Sequence, residues 1–292
     1  MSRAAALLRA AALFGMAALA ACGGPARRLE QANARRVAGD PKGALQAYKA
    51  ILADLGEGPL HTSDGAVRTK ALRAAGDVSY LELGDYTGAI SYYRRIISTA
   101  PGTREAREAR IVIGDIYKER FQDPLAAIAQ YADVAATDAP EAPTYQLEVA
   151  KAYLELGNSE QARTEARILR ERWPTHPLAE DAQLLTGQAW SLEHRDDEAL
   201  RAFQALIDSR PRPEIAARAL EGQAHIHAQA SHFDRALELY AQALPQHPNP
   251  DAIRTAIEAV RERRDKAAPA KPGDRAAAFD HLTSRASPRE TP

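Results

Sequence analysis

From residue 29 onward apolar side chains recur three and four positions apart, alanine is frequent, and no stretch alternates apolar with polar residues. That spacing is the period of an α-helix with one face turned to a core. Gly, Pro and short polar runs interrupt it at regular intervals. Six segments align: GDPKGALQAYKAIL (39–52), GDYTGAISYYRRII (84–97), QDPLAAIAQYADVA (122–135), GNSEQARTEARILR (157–170), HRDDEALRAFQALI (194–207) and SHFDRALELYAQAL (231–244). Five residues after each turn comes an alanine: Ala44, Ala89, Ala127, Ala162, Ala199 and Ala236. Four further on stands Tyr48, Tyr93, Tyr131, Ala166, Phe203 or Tyr240, and three beyond that Ile51, Ile96, Val134, Leu169, Leu206 or Ala243. The alanines are 45, 38, 35, 37 and 37 residues apart, which makes the chain a repeat array.

The pattern predicts an all-α chain of antiparallel helix pairs. A small residue lets two helices approach closely, a ring one turn later fills the space between them, and Pro101, Pro140, Pro174, Pro211 and Pro248 end the second helices. Each first helix carries a ring of its own, Tyr80, Tyr117, Tyr153 or Trp190, with Gly76, Gly114 and Gly187 at close-contact positions. No pair buries its apolar face alone, so stability requires stacking. The first repeat is followed by a loop, EGPLHTSDG (57–65), that lengthens its spacing. Asn249-Pro250-Asp251 predicts the start of one further helix over 250–265. Its stripe of Ile253, Ala256, Ile257 and Val260, backed by the charged RERR at 261–264, suits a terminal cap.

These residues resemble the tetratricopeptide repeat (TPR) family. The best match is Arg73 to Pro101, with Gly76, Tyr80, Gly84, Asp85, Tyr86, Ala89, Tyr93 and Pro101 in place or one position off. The resemblance covers about residues 29–249 and implies a right-handed superhelical α-solenoid of about six hairpins. It also implies a concave groove that binds protein partners. The family's groove positions fall here on Val78 and Glu82, Asp115 and Glu119, Lys151 and Glu155, Gln188 and Leu192, and His225 and Gln229. The Lys and Asn clamp by which one TPR subtype grips C-terminal carboxylates is not occupied.

The N-terminus adds an address. Arg3 and Arg9 precede twelve uncharged residues, AAALFGMAALAA (10–21), too few to span a bilayer, for which about 20 apolar residues are needed. Residues 1–21 therefore predict a cleaved signal segment. Leu19-Ala20-Ala21-Cys22 resembles the bacterial lipobox, which implies acyl chains such as palmitate on Cys22, the only cysteine of the chain, and a lipidated linker over 22–28. Two or more acyl chains hold a protein stably on a membrane where one does not. Gly23 in place of Asp implies sorting to the outer membrane, facing the periplasm.

Charge and chemistry narrow the reading by what they lack. Lys and Arg number 38 against 39 Asp and Glu, and no basic stripe points to nucleic acid. His225 and His227 lie two apart on one helix and so point to different faces, while His232 stands beyond a turn; metal-ligand spacing is missing. No nucleophile elbow, phosphate loop or dinucleotide fingerprint occurs, and carboxylates such as Glu119, Asp123, Glu155 and Asp196 read as solvated helix faces. The expectation is no enzyme, no cofactor, no metal and no small-molecule substrate. Residues 266–292, rich in Ala, Pro, Lys and Ser, predict a disordered tail in which AAAFDHLTSR (276–285) could fold on a partner.

Lipobox and repeats together resemble the BamD-like group of cell-envelope TPR lipoproteins. The resemblance implies a non-catalytic scaffold at the outer membrane with a role in outer-membrane protein assembly. Alternatives are a pilus or secretion-system assembly lipoprotein, a peptidoglycan-synthesis or division coordinator, an envelope enzyme regulator, and, with Cys22 unacylated, a soluble periplasmic chaperone.

Overall fold

A computed structural model describes residues 24–56 and 63–267. The predicted signal segment 1–21, Cys22, residues 57–62 of the predicted loop and the predicted tail beyond Ala267 lie outside the described residues. Within them the chain is helical throughout and contains no strand. Six pairs follow one another: α1 (Pro25–Val37) with α2 (Pro41–Leu55), α3 (Ser63–Asp77) with α4 (Tyr86–Thr99), α5 (Arg104–Ile116) with α6 (Pro124–Ala135), α7 (Ala142–Glu155) with α8 (Ser159–Arg172), α9 (Leu178–Leu192) with α10 (Asp196–Asp208), and α11 (Pro213–Gln229) with α12 (Phe233–Ala243). A last helix, α13 (Pro250–Ala267), closes the array. Two compact units divide within α7, after Ala152.

Three predicted boundaries move. The expected linker 22–28 is already helical from Pro25, because proline fits the first turn of a helix, where its missing N–H costs nothing. Ser63 to Gly65, expected in the loop, open α3. The last helix starts as expected, with Asn249 Oδ1 accepting from the Ala252 amide at 3.2 Å, but runs on through Lys266 and Ala267.

The aligned positions are the core. All eighteen residues of the alanine, ring and third apolar sets are buried, none more than 4 % exposed. The rings explain the glycines. A Cβ on Gly76 would lie 2.9 Å from Tyr93 Cε1, one on Gly114 2.4 Å from Tyr131 Cε1, and one on Gly187 2.4 Å from Phe203 Cε1. Phe203 is gripped from both sides, since a Cβ on Gly222 would stand 2.6 Å from its Cζ. Interiors packed at crystal density leave no room for such an atom without displacement.

The turns inside the pairs repeat one geometry. The residue five before each alanine has positive φ: Gly39 81°, Gly84 65°, Gln122 52°, Gly157 74°, His194 57° and Ser231 63°. Next comes the N-cap of the second helix. Asp40, Asp85, Asp123 and Asn158 each accept an amide hydrogen bond there, at 2.8, 2.9, 3.0 and 3.1 Å, which satisfies a donor the helix leaves unpaired. In α3 and α5 the first helix ends differently from the others. Val78–Glu82 and Tyr117–Phe121 are π-helical turns, closed by the Leu83 amide on the Val78 carbonyl at 3.0 Å and by the Asp123 amide on the Tyr117 carbonyl at 2.9 Å. Each accommodates one extra residue between the close-contact glycine and the turn.

Candidate functional site

The residue after each close-contact position occupies a single register along the first helices: Asn33, Asp77, Asp115, Lys151, Gln188 and His225. In the first three repeats the ring opposite is a tyrosine whose hydroxyl ends on that residue. Tyr48 donates to Asn33 Oδ1, Tyr93 to Asp77 Oδ1 and Tyr131 to Asp115 Oδ1, each at 2.7 Å. In the fourth and fifth repeats the ring position of the second helix holds Ala166 and Phe203, which carry no hydroxyl.

One predicted groove residue falls out of this set. Val78 is fully buried and belongs to the core, so its side chain offers nothing to a partner. Counting back eleven from Ala89, as the later repeats allow, stops one residue short here, because the π-turn holds an additional residue; the counterpart of Asp115 is Asp77. Glu82 is shifted by the same residue. It is exposed, and its carboxylate accepts from the Arg36 guanidinium of the preceding pair. Glu119, Lys151, Glu155, Leu192, His225 and Gln229 are exposed as expected, while Asp115 and Gln188 are half-buried.

In the first unit several of these meet. Glu148 accepts from Lys118 and from Lys151, both at 2.8 Å, and joins α7 to the π-turn of α5. Burial pushes the Glu148 carboxyl up, but the two lysine hydrogen bonds outweigh it and hold it below its ordinary value. Asp115 goes the other way: burial raises it, Glu119 and Glu148 add to the rise, and the Tyr131 donor and Lys118 only partly oppose it. Tyr145, its ring 5.3 Å from that of Tyr131, is pushed up to about 12 by burial and by Asp115, Glu148 and Glu141. Two carboxylates of opposite tendency thus share one patch with two lysines.

In the second unit, α9 packs on α11. Gln188 and Leu192 lie on the former; His225 and Gln229, whose side chains are 2.8 Å apart, lie on the latter. Trp190, noticed in the sequence only as a ring, is stacked between guanidinia: Arg163 lies 3.5 Å and Arg195 4.6 Å from its centroid, and Arg163 pairs with Glu193 at 2.9 Å. His225 and His227 do point apart, one exposed and one half-buried. The turn brings His232 to His227, ring centroids 5.8 Å apart, a proximity that sequence spacing concealed. Burial, with His232 and Arg235 adding to it, holds His227 below its ordinary value. No group of three or more His, Cys, Asp or Glu that could hold a metal occurs among the described residues, and no described helix is long and apolar enough to cross a membrane.

The tetratricopeptide repeat pattern matches residues 29–104, 78–144, 116–177, 147–212 and 193–251, in overlapping windows that follow the helix pairs. The chain belongs to the tetratricopeptide repeat family. Among curated proteins no relative matches it. Solved structures are similar in fold: the C-terminal part of a TPR repeat-containing protein from Cytophaga hutchinsonii shares 13 % identity over 86 % of this chain and 94 % of its own, with a TM-score of 0.57. The apo form of RapI shares 12 % identity over 84 % of this chain and 72 % of its own, with a TM-score of 0.54. Such likeness shows the fold alone. The TPR fold is typically a protein-interaction scaffold, and in this chain the repeated residues are spent on packing helix against helix.

One feature of the TPR array went unread in the sequence. Six large apolar side chains stand exposed among the described residues, Val37, Leu81, Phe121, Leu125, Leu156 and Leu192, and all six flank the turns inside the pairs. Their signal was present as an apolar residue within three positions of each turn.

Proposed function

We propose that this TPR protein is a non-catalytic scaffold, held at the outer membrane by acyl chains on Cys22, whose first-helix face binds protein partners during outer-membrane protein assembly. The observation that carries the scaffold reading is the division of labour in each repeat. The alanine, the ring and the third apolar residue are wholly buried between helices, while Glu119, Lys151, Glu155, Leu192, His225 and Gln229 on the first helices remain exposed. A repeat that presents one helix face to solvent suits an elongated peptide or a partner helix. The Leu-Ala-Ala-Cys tetrad supports the anchor, and Gly23 supports the outer membrane.

The test is site-specific photocrosslinking from Glu119 and Lys151 in the protein's own membranes, with Ala129, exposed on the second helix α6, as control. A partner captured from both first-helix positions and not from Ala129 is expected. Recovery of the same neighbours from all three positions removes the groove from the reading.

A further inference from the structure

The exposed apolar residues of the first unit do not stand alone. Around the two π-turns, Tyr80, Tyr86, Phe121 and Tyr117 form a continuous run of rings, with centroid separations of 6.0, 6.2 and 5.8 Å along the series. The Arg120 guanidinium lies 5.9 Å from the Tyr80 ring centroid and 5.7 Å from that of Tyr86. At the other end Arg94 donates to the Tyr117 hydroxyl at 2.9 Å. Beside Arg94 and Phe121 opens a cleft of about 390 Å³ lined by Thr87, Ile90, Arg94, Tyr117, Phe121 and Asp123. Leu81 and Leu125, 66 % and 63 % exposed, extend the apolar surface beyond it.

The charges around this cleft are unevenly committed. Asp85 and Asp123 are spent on capping α4 and α6, and Glu82 is held by Arg36. Glu119 contributes to stabilising the charge of Arg120, behind the two tyrosines. Neither Arg94 nor Arg120 has a carboxylate within salt-bridge distance among the described residues, whereas Arg73, Arg104, Arg107 and Arg110 of the same unit all do. A guanidinium offers five donors, and stacking on an aromatic face leaves most of them free. What remains unanswered at this edge is positive charge beside the exposed Phe121 and the half-buried tyrosines.

We infer that this turn edge of the first unit docks an acidic peptide, one that sets an aromatic or leucine side chain into the cleft against Ile90 and Phe121 and its flanking carboxylates on Arg94 and Arg120. The cleft is separate from the first-helix face proposed above. Its volume falls in the range of small-ligand sites, enough for one large side chain with a carboxylate beside it. Apolar anchors ringed by charge are the arrangement in which a few residues carry most of an interface's binding.

Fluorescence anisotropy with the full chain tests this, using a blocked, labelled peptide with a central phenylalanine between glutamates. Companion peptides replace the glutamates by lysine or the phenylalanine by alanine. The acidic phenylalanine peptide binds, the companions bind at least roughly tenfold more weakly, and Arg94→Gln and Phe121→Ala each weaken it by about the same factor. Added salt weakens it further, as expected for exposed charge pairs. Lys49→Ala, at an exposed position of α2, leaves it unchanged. Absence of binding, equal binding of the lysine peptide, or binding abolished by Lys151→Ala but not by Arg94→Gln overturns the assignment. Phe121 packs on its neighbours, so helicity is checked in parallel; Arg94 is exposed and its variant stands without that control.

Discussion

Tyr131 reaches Asp115 with its hydroxyl, 2.7 Å from Oδ1, while its ring lies against Gly114, the residue just before. Two consecutive residues on one helix therefore receive two parts of one side chain: the glycine admits the ring and the carboxylate takes its polar end. The Gly76, Asp77 and Tyr93 trio is built the same way. Burying a phenol requires a partner for its hydroxyl, and this arrangement supplies one without opening the core.

Gly114→Ala is expected to destabilise the first unit by about 1–3 kcal/mol, because the new Cβ meets the ring well inside contact distance. Tyr131→Phe leaves a half-buried carboxylate without its donor and costs roughly 1–2 kcal/mol. In urea unfolding, Gly114→Ala combined with Tyr131→Ala should cost less than the sum of the two single changes, since the smaller side chain removes the clash. Strict additivity would mean that ring and glycine do not interact.

Asp115 and Glu148 should respond to pH with opposite sign. Asp115 is raised in the folded chain, so the native state holds its proton more tightly than the unfolded one. Its ionisation costs stability at neutral pH, and that cost is absent below the ordinary value of 3.8. Asp115→Asn, which keeps an acceptor for Tyr131, is therefore more stable than wild type at pH 7 and equal to it near pH 3. Glu148 is lowered, so its contribution is full above 4.5 and is lost as pH falls through the folded value. Glu148→Gln is less stable at pH 7, and the difference vanishes in acid. Thermal melts from pH 3 to 7 read both.

Three of the turns inside the pairs place a residue other than glycine at positive φ, where a side chain costs about 1–2 kcal/mol. Gln122→Gly relieves that strain and, after the added freedom of the unfolded chain, stabilises by roughly 0.5–1 kcal/mol. Gly84→Gln, at the equivalent turn one repeat earlier, destabilises by about 1–2 kcal/mol. A melt in which both substitutions move Tm the same way contradicts a shared turn geometry.

The caps that follow these turns are separable from them. Asp85→Ala and Asp123→Ala each remove the acceptor for one helix-start amide and cost about 1 kcal/mol, while Asp123→Asn keeps the acceptor and is nearly neutral. Denaturation midpoints of the three variants check this directly.

The proposed membrane attachment depends on the Cys22 sulfur. Wild type is expected in the detergent phase after phase partitioning, and Cys22→Ser in the aqueous phase. Equal partitioning would remove the anchor and leave a soluble scaffold, the chaperone alternative included.

Much of this molecule was legible in the chain itself. The six alanines, the rings four residues later and the stopping prolines report helix pairs because each is a local or near-neighbour constraint: period, small size at a contact, a missing N–H. The glycines at 76, 114 and 187 were legible for the same reason, since only a close approach explains their recurrence before a ring.

What the chain by itself left undecided was register and proximity. Val78 stood where Asp77 belonged, because a π-turn adds a residue without changing the composition of the helix, and only its hydrogen bonds reveal it. His232 beside His227, Trp190 between two arginines, and the run from Tyr80 to Tyr117 were equally hidden. Each joins residues on different helices or across a turn, and such distances depend on how helices pack. Periodicity therefore determined which side chains are buried; tertiary packing decided which of the remaining ones meet.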